Sequence, residues 1–289
     1  MKIGGIPVGK KFTVKVMGII NASPESFYKG SVRTSKQEIA ATAKQMQKDG
    51  AHIIDIGGMS TAPYVQTAIV PVEEEIRRIT QAIKVAKDTC DLPISADTPR
   101  AVVAEEAVAA GADAVNDITG LGYDSKMADV AAKAGVPIII GAYSKALVAG
   151  RIDSTLKALK KSLGLAKKAG IKDVMIDPSI GFFRQEGKNP FFTKMTGMPW
   201  YIRDIEIISK LGNLAILKKP ICVSVSRKSF IGYLLNLKEA EDRVIPSIAC
   251  EMIAALNGAN IIRTHNVLGT VHALTMLQLL KAQVGGKRL

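Results

Sequence analysis

Apolar residues in this chain come in short dense runs separated by longer stretches in which they recur every three or four positions. Eight runs read as strands: VKVMGII (14–20), IIDIG (53–57), PISA (93–96), DAVN (113–116), VPIIIGA (136–142), DVMID (173–177), PICVSVS (220–226) and NIIRTH (260–265). They are apolar almost throughout, the pattern of strands covered on both faces. The stretches between them carry helical periodicity and helix punctuation. Ser35 and Glu38 form a capping box that opens SKQEIAATAKQMQKDGA, and Gly50 closes it. Thr98 and Pro99 read as N-cap and first helical position of a helix ended by Gly111, and Gly135, Gly170 and Gly258 follow other helical runs. Eight strand-helix units without an internal linker predict a single (β/α)8 TIM barrel over residues 1–289, a typical length for that fold. A doubly wound sheet is the alternative, but GIINASPES after the first strand has no glycine-rich phosphate loop. The connection from Gly181 to Met198, rich in Phe, Gly and Pro, reads as a surface loop bordering a site.

Composition narrows the class. At 47% hydrophobic the chain can bury a large core, and no apolar run approaches the length of a membrane span. The opening MKIGGIPVGKKF lacks the apolar stretch of a signal peptide, so the chain reads as cytoplasmic, with no membrane partner. Cys90, Cys222 and Cys250 share no metal-ligand spacing and read as reduced thiols. The net charge of +13 is scattered over helical stretches such as KALKKSLGLAKKAG, and aromatics are only 5%. No aromatic-interleaved basic patch is present, so the charge points to anionic small molecules and not to nucleic acid.

A barrel of this kind carries its chemistry at the C-terminal ends of its strands. Those positions hold Asn21, Asp55, Asp97, Asn116, Asp177, Lys228, Arg263 and His265. Strand five alone contributes nothing ionisable there beyond Gly141 and Tyr143. Each polar residue has a plainer use: Asp97 as a cap, Asp177 and Asn116 as turn formers, His265 as a core histidine. Converging on one end of a barrel, they are better explained as a pocket. Asp97, Asn116 and Asp177 suit a flat heterocycle rich in N–H donors. Asn21, Arg263, His265 and the Ser226–Arg227–Lys228–Ser229 turn offer donors and cations suited to phosphate.

The segments MGIINASPESF (17–27), GAHIIDIGGMSTAP (50–63), PISADTPRAVVAEEAVAAGADAVNDITG (93–120), DPSIGFF (177–183), VSRKSFIG (225–232) and IIRTHNV (261–267) resemble the dihydropteroate synthase family, in order and over nearly the whole chain. The resemblance implies a reaction between a hydroxymethyl-dihydropterin diphosphate and the amine of an aminobenzene, releasing pyrophosphate. It implies a pterin site at Asp97, Asn116, Asp177, Phe182 and Lys228. It also implies Mg2+ held at Asn21, a diphosphate site at Asn21, Arg263 and His265, and Ser23, Thr61 and Arg227 near the reacting end. Catalysis would then be electrostatic, with Asn21, Ser23, Thr61, Arg227, Lys228, Arg263 and His265 taking part and no nucleophile needed. Family habit favours a homodimer through late helices such as that from Asp242 to Leu256.

The sequence departs from the bacterial pattern on the arylamine side. Ala62 stands where the family usually has Arg, IIIGAYSK (138–145) replaces a Met-His-Met segment, Ser23 and Glu25 replace Thr and Asp, and Arg184 replaces Lys. These differences lead to the expectation of an archaeal-type member, whose arylamine is either 4-aminobenzoate or a phosphoribosylated aminobenzene of methanopterin synthesis. Two other readings compete: a pterin-dependent methyltransferase working with a corrinoid protein, and a non-catalytic pterin-binding homologue. Neither needs both the VSRKSFIG segment and the Arg263–His265 pair.

Overall fold

A computed structural model describes residues 1–26, 28–64 and 70–285; Phe27, which ends the first family-like segment, lies outside them. A short hairpin of β1 (Lys2–Ile3) and β2 (Ile6–Pro7) precedes the repeating units. These run β3 (Lys15–Asn21), α1 (Lys36–Lys48), β4 (Ile53–Gly57), α2 (Val72–Lys87), β5 (Ile94–Asp97), α3 (Ala101–Ala109), β6 (Ala114–Asp117), α4 (Met127–Ala134), β7 (Ile138–Gly141), α5 (Ile152–Lys168) and β8 (Val174–Asp177). Then come β9 (Phe183–Arg184), β10 (Thr193–Lys194), α6 (Trp200–Ser209), β11 (Cys222–Ser224), α7 (Ser229–Leu235), α8 (Val244–Leu256), β12 (Ile261–Thr264) and α9 (Val267–Gly285).

Eight strands form one parallel sheet in the order β11-β12-β3-β4-β5-β6-β7-β8. A parallel bridge between Ile176 and Ile221 joins its edges, with the Ile176 N–H donating to the Pro220 carbonyl at 2.9 Å. The sheet is therefore a closed barrel, as the strand-helix rhythm predicts, and the doubly wound alternative falls.

The strands follow a period of two. One set of residues, including Val16, Ile54, Ile94, Val115, Ile138, Ile140, Val174, Val223 and Ile262, packs outward against the helices. The other set turns into the barrel. Its lower layer, Met17, Ile53, Ala114, Ile139, Met175, Cys222 and Ile261, packs with Ile3 and Val8 from the N-terminal segment, which plugs that mouth. No strand was predicted in that segment, because two-residue strands carry no periodicity to read.

Two further expectations need adjustment. Helix α3 begins at Ala101 and not beside Thr98, because the Ala101 N–H is satisfied by the Asp124 carboxylate at 2.9 Å, while the Thr98 hydroxyl donates to Glu75 at 2.6 Å. The long connection after β8 is more than a surface loop. It folds into the β9–β10 pair, with Phe183, Phe191, Thr193 and Met195 all buried. The Ser35–Glu38 capping box is present, and Gly135 takes the left-handed conformation that ends α4.

Candidate active site

The upper layer of the barrel interior lines a pocket at the C-terminal ends of the strands, enclosing about 800 Å³ including its mouth. β3 contributes Ile19 and Asn21, β5 Asp97, β6 Asn116, β8 Asp177 and β12 Arg263. Thr61, Phe182, Lys228 and His265 come from the loops that follow strands. Neither Gly141 nor Tyr143 is among the lining residues, so β7 stays chemically silent, as its sequence predicts. Tyr143 instead donates its hydroxyl to the Pro190 carbonyl at 3.0 Å.

The floor is an ionic network. Arg263 donates from Nε to Asp55 at 2.5 Å and from Nη2 to Asp97 at 2.6 Å, and Asn116 donates its amide to Asp55 at 3.1 Å. Asp55 is fully buried, with one carboxylate oxygen unpartnered, so it cannot be separated from Arg263 cheaply. Burial, reinforced by Asp55 and Asp177, pushes the Asp97 carboxyl up to about 7. Arg263 opposes that shift but divides its charge between two carboxylates. Burial would by itself lower the Arg263 guanidinium, and Asp55 and Asp97 together outweigh it and keep it charged. Burial also raises Asp177, whose carboxylate accepts the Ser179 N–H at 2.6 Å. Lys228 is pulled down to about 8, first by burial and then by Arg263, and its ammonium lies 4.4 Å from the centre of the Phe182 ring.

Ser23 and Arg227, expected near the reacting end, do not line the pocket. Ser23 is buried below a tight turn in which the Ser26 N–H donates to its carbonyl. Arg227 sits at φ 57°, which swings its side chain away from Lys228. Its guanidinium donates to the carbonyls of Ala240 and Glu241 and lies 4.1 Å from the centre of the Tyr28 ring. The Ser226–Ser229 segment is thus not one anion cradle. Lys228 and Ser226 face the pocket, whereas Ser229 accepts a hydrogen bond from Arg184 at 2.8 Å.

The sequence reading missed the supports of the pocket rim. Asn189 donates to the Ala62 carbonyl at 2.7 Å and the Lys188 N–H to the Pro63 carbonyl at 2.7 Å, tying the loop after β4 to the loop after β8. The fully buried Arg203 donates to the carbonyls of Pro178 and Ser179, while Asp204 accepts from Gly181. No spacing in the sequence distinguishes these residues from ordinary loop and helix positions.

Among the described residues no group of three His, Cys, Asp or Glu could hold a metal ion. Asn21 donates its amide N–H to Ser31 at 2.7 Å, which leaves the amide oxygen as a hard ligand. One protein oxygen supplemented by substrate phosphate and water is a usual Mg2+ arrangement, so the residue fits that ion.

A family model for pterin binding enzymes matches residues 17–265. The chain is 36% identical to a dihydropteroate synthase of Clostridium beijerinckii over 97% of its own length and 99% of that protein, and 36% identical to one of Bacillus subtilis over 87% and 83%. A Xanthomonas albilineans dihydropteroate synthase solved with 4-aminobenzoic acid superposes with a TM-score of 0.79 at 31% identity, covering 93% of this chain and 94% of that one. A Yersinia pestis dihydropteroate synthase solved with a sulfonamide drug superposes at 0.81 and 29% identity over 98% and 99%. Bacterial relatives that match end to end do not bear out the expectation of an archaeal-type member, and none of them favours the methyltransferase or the non-catalytic reading. The chain belongs to the dihydropteroate synthase family of pterin-binding enzymes, transferases that form a C–N bond.

Proposed function

We propose that the chain joins 6-hydroxymethyl-7,8-dihydropterin diphosphate to 4-aminobenzoate and releases pyrophosphate. The observation that carries this reading is the meeting of Asp97, Asn116 and Asp177 with Lys228 in one buried pocket. Two carboxylates and an amide are partners for the amino and N–H edge of a pterin, and an ammonium is a donor to its ring carbonyl.

In the reaction the bond from the pterin methylene to the diphosphate oxygen breaks, the amine nitrogen bonds to that carbon, and the amine gives up a proton. Mg2+ held at Asn21 would supply charge neutralisation for the departing diphosphate. Asp97 and Asp177 stabilise the positive charge that develops on the pterin. Arg263 holds Asp97 in place and keeps the floor of the pocket close to neutral. His265, whose imidazole is held neutral chiefly by burial and then by Arg263, offers a hydrogen bond to the anion at the opposite side. The support for plain 4-aminobenzoate is the match to bacterial synthases over nearly the whole of both chains.

Pyrophosphate release is the test, run with the pterin diphosphate and Mg2+ and with either 4-aminobenzoate or its phosphoribosylated analogue. A higher kcat/KM for 4-aminobenzoate supports the reading. Release with the analogue alone reassigns the enzyme to methanopterin-type synthesis, and release with neither defeats the proposal.

The same reading includes a homodimer through the late helices. Tyr233, Leu235, Ile245, Ile253 and Leu280 on α7, α8 and α9 are apolar and exposed, Ile245 by 81%, which supports a self-association surface. Sedimentation of Ile245→Glu as a monomer, against a dimeric parent, is the expected result.

A further inference from the structure

A buried carboxyl lies outside the pocket and connects to it through hydroxyls. Glu251 of α8 is 1% exposed and meets the Thr270 hydroxyl of α9 at 2.7 Å. Thr270 lies 3.2 Å from the Thr264 hydroxyl, Thr264 lies 3.5 Å from Ser226 Oγ, and Ser226 Oγ lies 3.1 Å from His265 Nδ1. Thr264, Thr270 and Ser226 are all buried, so water does not interrupt the series. We propose that Glu251 is a positioning residue that sets the tautomer of His265 through this hydroxyl chain. The proposal rests on the functional reading only in giving His265 a diphosphate to meet.

Proton counting carries the argument, since each hydroxyl has one proton to donate. Ser226 Oγ already receives the His265 backbone N–H at 3.2 Å, and Thr264 Oγ1 receives that of Asn266 at 3.1 Å. If Glu251 carries a proton, it donates to Thr270, Thr270 to Thr264, Thr264 to Ser226, and Ser226 to His265 Nδ1. The imidazole proton then sits on Nε2, across the ring, ready to donate to an anion. If Glu251 is ionised, every hydroxyl reverses and Nδ1 becomes the protonated nitrogen, leaving Nε2 as an acceptor that repels phosphate oxygens.

The structure favours the first state. The second Glu251 oxygen has no partner, an arrangement far costlier for a carboxylate than for a neutral acid. Burial is the main force raising this carboxyl to about 7, and Arg227 and the threonines only partly offset it. Among the described residues no other acid is hydrogen-bonded to Ser226, Thr264 or Thr270.

The test reads the tautomer directly by 15N-resolved NMR of the imidazoles in the intact protein. The chain has three histidines, and His52, whose Nδ1 accepts the Val16 N–H at 3.2 Å, is an internal standard for the Nε2–H form. Wild type and Glu251→Gln, whose amide also donates to Thr270, should both show His265 as Nε2–H. Glu251→Met fills the same space without a donor, and Thr264→Val cuts the series. Both should lose the single tautomer and bind the diphosphate-bearing pterin about three- to tenfold more weakly, the scale of one hydrogen bond, with affinity for the pterin lacking diphosphate unchanged. An Nδ1–H wild type, or Gln and Met variants that behave alike, overturns the proposal. If wild type does not distinguish the two pterins, the functional reading fails while the tautomer measurement still decides the role of Glu251.

Discussion

The two mouths of the barrel are built from the same strands two residues apart, yet one is a plug and the other a site. Along β4 the inward positions run from Ile53 to Asp55, along β6 from Ala114 to Asn116, along β8 from Met175 to Asp177, and along β12 from Ile261 to Arg263. The lower member of each pair joins an apolar layer sealed by Ile3 and Val8, and the upper member is polar. A two-residue step keeps a side chain on the same face of a strand, so polarity is assigned by height along the barrel axis and not by face. The lower layer fixes the register that brings the upper layer together, because a slip of one residue would exchange every inward group for an outward one.

The sharpest way to break that division is to carry the upper chemistry down one step. Met175→Asp places a carboxylate in the sealed layer with no partner, and a loss of more than about 4 kcal/mol of stability is expected. Denaturant unfolding measures it, and a loss below about 1 kcal/mol would show that the lower layer admits water.

The reverse change, within the upper layer, should injure binding and spare the fold. Asp177→Ala removes acceptors from the ligand and should cost about 2–4 kcal/mol of pterin affinity, since each lost bond strands a buried donor. Calorimetry reads the binding and thermal unfolding the fold. A drop in both by the same amount would make Asp177 a structural residue.

Acidity sharpens the comparison further. On the proposed binding mode the pterin meets an ionised Asp97, so affinity should fall about tenfold per pH unit below the group's value of about 7, and fall again as Lys228 loses its proton above about 8. For stability the sign is opposite. The folded protein holds that proton more tightly than the unfolded chain, so the contribution is full below the ordinary carboxyl value and is lost as pH rises through about 7. Asp97→Asn should abolish both dependences on Asp97, and a binding profile unchanged in that variant would assign the titration to another group.

The smallest effect separates the pocket from its surroundings. Arg227→Gln loses two carbonyl contacts and the Tyr28 stack, and should cost about 1–2 kcal/mol of stability with KM for the arylamine unchanged. A raised KM with unaltered stability would return Arg227 to the reacting end.

Much of this was legible because barrel strands are covered on both sides. Runs such as IIDIG and DVMID are continuous enough to be found without knowing their neighbours, and a polar residue ending such a run stands out. Asp97, Asn116, Asp177, Lys228 and His265 could be gathered in that way. The direction in which a loop side chain points could not, as Arg227 shows, because a positive φ at a non-glycine residue has no signature in residue type. Arg203, Asn189 and Glu251 were equally invisible, since their partners lie on elements distant in sequence.

The sequence by itself determined the number and order of the eight barrel strands and the end at which the chemistry collects, since periodicity and end signals are local properties of the chain. Only the tertiary structure decided which polar residues are spent on one another. Arg263 lies between Asp55 and Asp97, 208 and 166 residues away along the chain, and closing the barrel is what makes them neighbours. A pairing made across a closed ring depends on register and side-chain direction together, and neither is a property of any one segment.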